Sequence, residues 1–215
     1  MVRGMKIIVI GASRGTGAAC VSSALAKGHD VTACARTPSK LTLEHPKLTK
    51  KAGDFHDAAS MNAAIAGHDA VILTASVGKL SDFKTTPDYF SRGTKYCIDA
   101  MKAHGVKRLV VLSAAGSGDS RVTSNWLLRT LVVDGILKRA FVDHDVQEQL
   151  ALKSGLEVVI ARPTRLTDGP AKGKYTKTAE LVKVPSAISR ADVADFMVDA
   201  CSDGTFVGKA VLLGG

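Results

Sequence analysis

The sequence predicts an α/β fold of three α/β/α layers around a doubly wound parallel sheet, and three observations predict it. Apolar runs of strand length recur along the chain, helix-length segments separate most of them, and the runs are nearly continuous Val, Ile and Leu. Alternating strands and helices favour parallel strands joined by crossovers. Strands without an in-out alternation are those covered by helices on both faces.

The strands expected on this basis are 6–10, 30–35, 70–73, 109–112, 158–161 and 210–213. A further strand is expected just before Gly53-Asp54-Phe55. Helices are expected at 15–27, 58–66, 88–104, 143–153 and 190–201, with Ser189 offering a capping oxygen to the last. The segment 116–140 breaks the rhythm. It holds Trp126, Leu127, Leu128, Leu131, Val132 and Val133 where a short loop would suffice. Loops after the C-terminal ends of strands surround the ligand crevice of such sheets, so this insertion is a lid or substrate wall, or else a satellite core or dimer contact. No repeat or Pro-rich linker divides the chain, and residues 1–215 read as one domain.

A chain of 215 residues with 46% hydrophobic content can bury one substantial core. The net charge of +9 raises nucleic acid, a membrane surface and phosphorylated small ligands as partners. Lys and Arg are scattered and no aromatic residues interleave them, so neither nucleic acid nor membrane is expected. No apolar run reaches the length of a signal-peptide core or a membrane span, which points to a soluble cytoplasmic protein, monomeric or homodimeric. Cys20, Cys34, Cys97 and Cys201 lack metal or redox spacing and read as reduced, buried small hydrophobes; no metal site is expected.

The first strand runs into Gly11-Ala12-Ser13-Arg14-Gly15-Thr16-Gly17 and then a small-residue helix start. In that context the glycines allow a tight turn and close backbone approach, and the helix N-terminus directs free N–H groups and partial positive charge at a pyrophosphate. This is the dinucleotide-binding turn of a Rossmann-type sheet. At the end of the second strand, where NAD sites carry a carboxylate for the ribose, the sequence is Cys34-Ala35-Arg36-Thr37. Arg36 and Arg14 are suited to a 2′-phosphate, so NADP(H) is the expected cofactor. Asp54, after the third strand, is placed to flank the adenine.

Over nearly its whole length the chain resembles the atypical short-chain dehydrogenase/reductase proteins, close to the NmrA-like group and the small NADPH-dependent flavin or biliverdin-IXβ reductases. The resemblance rests on residues 11–17, on Ala100-Met101-Lys102-Ala103-His104-Gly105-Val106 leading to Val110-Val111-Leu112-Ser113, and on Ser154-Gly155-Leu156 through Ala161-Arg162-Pro163-Thr164. It implies a nicotinamide near Ala75, Ser76, Val77 and Gly78, near Ser113, and near the loop Pro163, Thr164, Arg165, Leu166. Arg165 stands where those reductases have a His, which implies a pocket of different charge and disfavours biliverdin as substrate.

Carbonyl reductases of that superfamily pair a Tyr with a Lys four residues later, the Lys lowering the phenol pKa. Here the residues four after Tyr89, Tyr96 and Tyr175 are Gly93, Ala100 and Ala179. Hydride transfer needs chiefly positioning, and the reduced anion of a flavin or quinone can take its proton from water. The expected activity is therefore NADPH-dependent reduction of a conjugated small molecule. Ser113, His144 and Arg165 are the catalytic candidates, with Trp126, Arg165 and Tyr175 at the substrate. His144 reads equally as a helix-surface residue. A non-catalytic NADP(H) sensor acting through a protein partner, or a redox-neutral isomerase or cyclase, are the alternatives.

Overall fold

The structure, a computed structural model, describes residues 4–76, 86–123 and 137–215. Its strands are β1 (Lys6–Ile10), β2 (Asp30–Ala35), β3 (Leu48–Ala52), β4 (Ala70–Leu73), β5 (Arg108–Leu112), β6 (Glu157–Pro163), β7 (Arg165–Thr167), β8 (Thr176–Thr178), β9 (Ala187–Ser189) and β10 (Lys209–Gly214). The helices among the described residues are α1 (Gly15–Ala26), α2 (Ala58–Ile65), α3 (Tyr89–Ala103), α4 (Lys138–Leu152) and α5 (Arg190–Asp199).

Eight strands form one sheet in the order β3-β2-β1-β4-β5-β6-β10-β8. All pair in parallel except β8, which runs antiparallel to β10 with Leu213 opposite Lys177. Strands β7 and β9 make a separate parallel pair. The order reverses between β1 and β4, and that reversal opens the crevice where such sheets bind ligands.

Each central strand divides its side chains between two apolar layers. Ile7 and Val9 of β1 join the core under α1 and α5, whereas Ile8 and Ile10 join the core under α2, α3 and α4. Both sets are at most 2% exposed, which is why β1 reads as an unbroken apolar run. Burying each such side chain contributes about 1.5–3 kcal/mol. On α3, Phe90, Thr94, Cys97, Ile98 and Met101 recur at helical spacing and form its buried face. Helix α5 begins where expected: the Ser189 side chain accepts from the Asp192 N–H at 3.0 Å.

The departures from the expected elements have local causes. Strand β3, Leu-Thr-Lys-Lys-Ala, lies at the sheet's edge and is only partly buried, so no apolar run marks it. Helix α4 starts at Lys138 rather than at 143, and Gly118–Thr123 forms a 3-10 turn, so both flanks of the expected insertion are ordered structure. Trp126 and its apolar neighbours lie outside the described residues. All four cysteines are buried and free. Among the described residues no helix is long and apolar enough to cross a membrane.

Candidate functional site

The turn after β1 is shaped by glycine. Gly11 has φ +88°, and a Cβ there would meet the Ala75 backbone N at 2.7 Å. Its N–H donates to the Cys34 carbonyl at 2.9 Å, tying the turn to the end of β2. A Cβ on Gly17 would collide with the Gly11 carbonyl and stand 2.7 Å from Thr74 Oγ1, so only glycine lets α1 start this close to the sheet. Gly15 has φ +57°, and only the Arg190 side chain comes within 4 Å of its Cβ position. The Ala18 N–H is bonded to the Arg14 carbonyl at 3.3 Å, so the N–H groups of Gly15, Thr16 and Gly17 precede the helical ladder and are available to an anion.

Beside the turn lies a cleft of about 530 Å³ lined by residues from the ends of β1, β2, β3 and β4. Gly11, Ser13, Arg14, Arg36, Asp54, Ala75 and Ser76 all border it, so the fold brings these sequence-selected residues together. Lys40 borders it too and was missed: it belongs to a short 3-10 turn after β2, and nothing local distinguishes it from other surface lysines. Arg14, Arg36 and Lys40 are exposed, and none pairs with a carboxylate among the described residues. Asp54 Oδ1 accepts the His56 N–H at 2.9 Å, a turn that holds its carboxylate at the wall. Phe55 and Tyr89 supply the apolar surface, and the Tyr89 hydroxyl donates to the Ser76 carbonyl at 3.1 Å. The cleft thus combines unladdered N–H groups at a helix start, cations beyond β2 that pair with no carboxylate among the described residues, and an apolar wall, a set suited to an anionic ligand. Val77 and Gly78 lie outside the described residues.

The ends of β5 and β6 stand next along the same sheet edge, and there the structure corrects several expectations. Ser113 is 5% exposed and its hydroxyl donates to Glu148 Oε1 at 2.5 Å, so its proton is already committed and only its lone pairs remain for a ligand. Glu148 in turn holds Arg162, with Nε to Oε1 at 3.0 Å and Nη2 to Oε2 at 2.5 Å, and Arg162 Nη1 reaches Asp119 at 2.5 Å. Pairing in that fork holds the Arg162 guanidinium above its ordinary value against the opposing effect of burial. In the sequence Arg162 stands out only within the stretch that carries the resemblance, and its partner Glu148 bears no local mark. Pro163 is buried with its carbonyl accepting from the Ala115 N–H, and the Thr164 hydroxyl donates to the Pro185 carbonyl at 3.0 Å.

His144 is partly buried on its helix and does not line the cleft described above. Its ring stacks on Phe90 with centroids 3.9 Å apart, and Nδ1 bonds Gln147 Oε1 at 2.8 Å. It belongs to the polar seam between α3 and α4, where Asp143 also accepts the N–H groups of Phe90 and Ser91 at 2.6 and 3.1 Å and so caps α3 from outside. Burial holds the His144 imidazole below its ordinary pKa. Tyr175 packs, partly buried, against the core under α1 and α5, and burial pushes its phenol up to about 12. Leu166 packs against the same core. Arg165 is exposed and pairs with no carboxylate among the described residues.

A family model described as NAD(P)H-binding matches residues 11–204. A 3-beta-hydroxysteroid dehydrogenase of Mycolicibacterium neoaurum is 35% identical over 113 residues, 49% of this chain and 31% of that protein. An uncharacterized sugar epimerase of Bacillus subtilis, YhfK, is 27% identical over 148 residues, 69% of this chain and 64% of that protein. The chain therefore spans less than two thirds of either relative. A short-chain dehydrogenase/reductase from Veillonella parvula, solved in complex with NADP, has a TM-score of 0.82 at 17% identity, covering 99% of this chain and 95% of that one. That likeness is one of fold.

Proposed function

The chain belongs to the NAD(P)H-binding family, and from that premise we propose that it is an NADP(H)-dependent reductase that delivers hydride to a flat conjugated acceptor such as a flavin or quinone. The observation that carries the cofactor preference is the trio Arg14, Arg36 and Lys40, unpaired among the described residues around a cleft that has no carboxylate at the end of β2. Three unsatisfied cations on a concave wall suit a 2′-phosphate and offer a bare ribose hydroxyl nothing to donate to.

The N–H groups at the start of α1 hold the pyrophosphate, and Asp54 and Phe55 flank the adenine. Ala75, Ser76 and Ser113 border the nicotinamide end, where Ser113 accepts from a carboxamide N–H because its own proton is given to Glu148. The bound dinucleotide supplies the hydride. Arg165, exposed beyond β6, favours an acceptor bearing negative charge. No Tyr-x-x-x-Lys pair is present to protonate an alkoxide, which is why an acceptor whose reduced anion is delocalised fits better than a ketone.

Arg36→Glu tests the reading. NADPH binding is expected to weaken by about tenfold to a hundredfold, the loss of a charge-assisted contact, while NADH binding changes little. Equal losses would remove the NADP(H) assignment. Steady NADPH oxidation with FMN, riboflavin or a quinone panel is expected from the wild-type chain. Selective binding without turnover would replace the reductase with a sensor, and product formed without loss of NADPH absorbance would indicate a redox-neutral isomerase.

A further inference from the structure

We propose that Arg190 is a pyrophosphate-binding residue, held by Asp168 until the dinucleotide arrives; this rests on the dinucleotide reading of the cleft. Arg190 is the first residue of α5. Helices α1 and α5 lie side by side and run the same way: Gly15 faces Arg190, the Ser23 hydroxyl bonds Asp195 at 3.1 Å, and Lys27 pairs with Asp199 at 2.5 Å. Two helix N-termini therefore stand together at the glycine turn.

The side chain sits at that junction. Arg190 Nε is 3.7 Å and Cδ 3.9 Å from the Cβ position of Gly15, the residue whose N–H opens the anion-binding turn. Nη1 bonds Asp168 Oδ1 at 2.7 Å, whereas Nε and Nη2 have no hydrogen-bond partner among the described residues. A guanidinium with two unused donors, poised over the turn, can bind a phosphate in a bidentate fork. Its present partner holds it weakly, since Asp168 is 92% exposed in this pair and Arg190 30%. Exposed ion pairs of this kind contribute little, so a pyrophosphate already gripped by the α1 N–H groups displaces the carboxylate. Arg14, Arg36 and Lys40 serve the 2′-phosphate end, which leaves the pyrophosphate without another side-chain cation among those placed so far.

Calorimetric titration of the full chain with NADPH, NADH and adenosine 2′-monophosphate separates the roles. Arg190→Gln is expected to weaken both dinucleotides by about tenfold to thirtyfold. Binding of adenosine 2′-monophosphate, which has no pyrophosphate, stays within about twofold of wild type. Arg190→Lys restores part of the loss, and Asp168→Asn tightens both dinucleotides by about twofold to fivefold by freeing the guanidinium. Undiminished NADPH binding by Arg190→Gln overturns the proposal. So does a parallel loss of adenosine 2′-monophosphate with a lowered melting temperature, which would give Arg190 a purely structural role. A wild-type chain that binds no dinucleotide removes the reading beneath it, and a wild-type chain that binds NADPH and NADH equally removes only the 2′-phosphate assignment.

Discussion

At the ends of β1 and β2, Arg14, Arg36 and Lys40 surround an open cleft with no carboxylate paired to them among the described residues. At the ends of β5 and β6, Arg162 is 4% exposed and closed in by Glu148 and Asp119. Both regions lie along the same edge of one sheet, yet the first holds charge in reserve and the second has spent it on the fold. The difference separates binding from support. A cation left unpaired in a concavity is available to an anionic ligand, whereas a buried cation must be matched inside the protein because its desolvation is otherwise uncompensated.

The sharpest way to break this contrast is Glu148→Ala. It leaves the buried Arg162 guanidinium with Asp119 as its remaining ion-pair partner and is expected to cost about 3 kcal/mol, the lower end for breaking a buried pair, in chemical denaturation. A loss below about 1 kcal/mol would place Arg162 among the spare charges instead. Next comes Gly118→Ala, because Gly118 has φ +55° and its Cβ would collide with Arg162 Nη2. A loss of about 1–3 kcal/mol is expected, with NADPH affinity unchanged in the same preparation.

Lys40→Ala sharpens the other side. Its stability should stay within about 0.5 kcal/mol of wild type, while NADPH affinity falls by about threefold to tenfold and becomes less sensitive to salt. A change in melting without a change in affinity would move Lys40 out of the site. The smallest effect is the pH dependence set by His144. Burial lowers its pKa in the folded chain below the ordinary 6.5, so on acidification the unfolded chain takes up the proton first. Stability is then full above about pH 6.5 and falls as pH drops below it. Nearby Asp143, Asp145 and Glu148 oppose this without reversing it. His144→Gln is expected to reduce the slope of unfolding free energy between about pH 6.5 and 5.5. An unchanged slope would assign the acid sensitivity to His29, His56 and His68, which burial lowers in the same direction.

What the sequence revealed was what lies close together in the chain. The central strands are legible because burial on both faces leaves only apolar residues in them, and the glycine turn is legible because its chemistry occupies seven consecutive positions. Arg36 could be found because the end of the second strand is a place with a known task. Strand β3 escaped the apolar scan because an edge strand can carry Thr49, Lys50 and Lys51. The meeting of Gly15 with Arg190, the closure of Glu148 on Arg162 and the capping of α3 by Asp143 are made by the packed helices and have no local pattern. Ser113 and His144 show the converse. Each has a side chain capable of catalysis, and in each the fold has already placed a partner on it.

The two outer strands, β3 and β8, also govern how the molecule treats its own copies. A sheet edge is a row of unused backbone donors and acceptors that can template the growth of another chain. Here one edge is a five-residue strand bearing Lys50 and Lys51, and the other is a three-residue antiparallel strand with Lys177 at its centre. Short length, with Lys51 at one margin and Lys177 at the other, disfavours edge-to-edge stacking, while Lys50 is paired with Glu44. Some of the basic residues that looked scattered in the sequence thus stand where they oppose edge pairing with another copy.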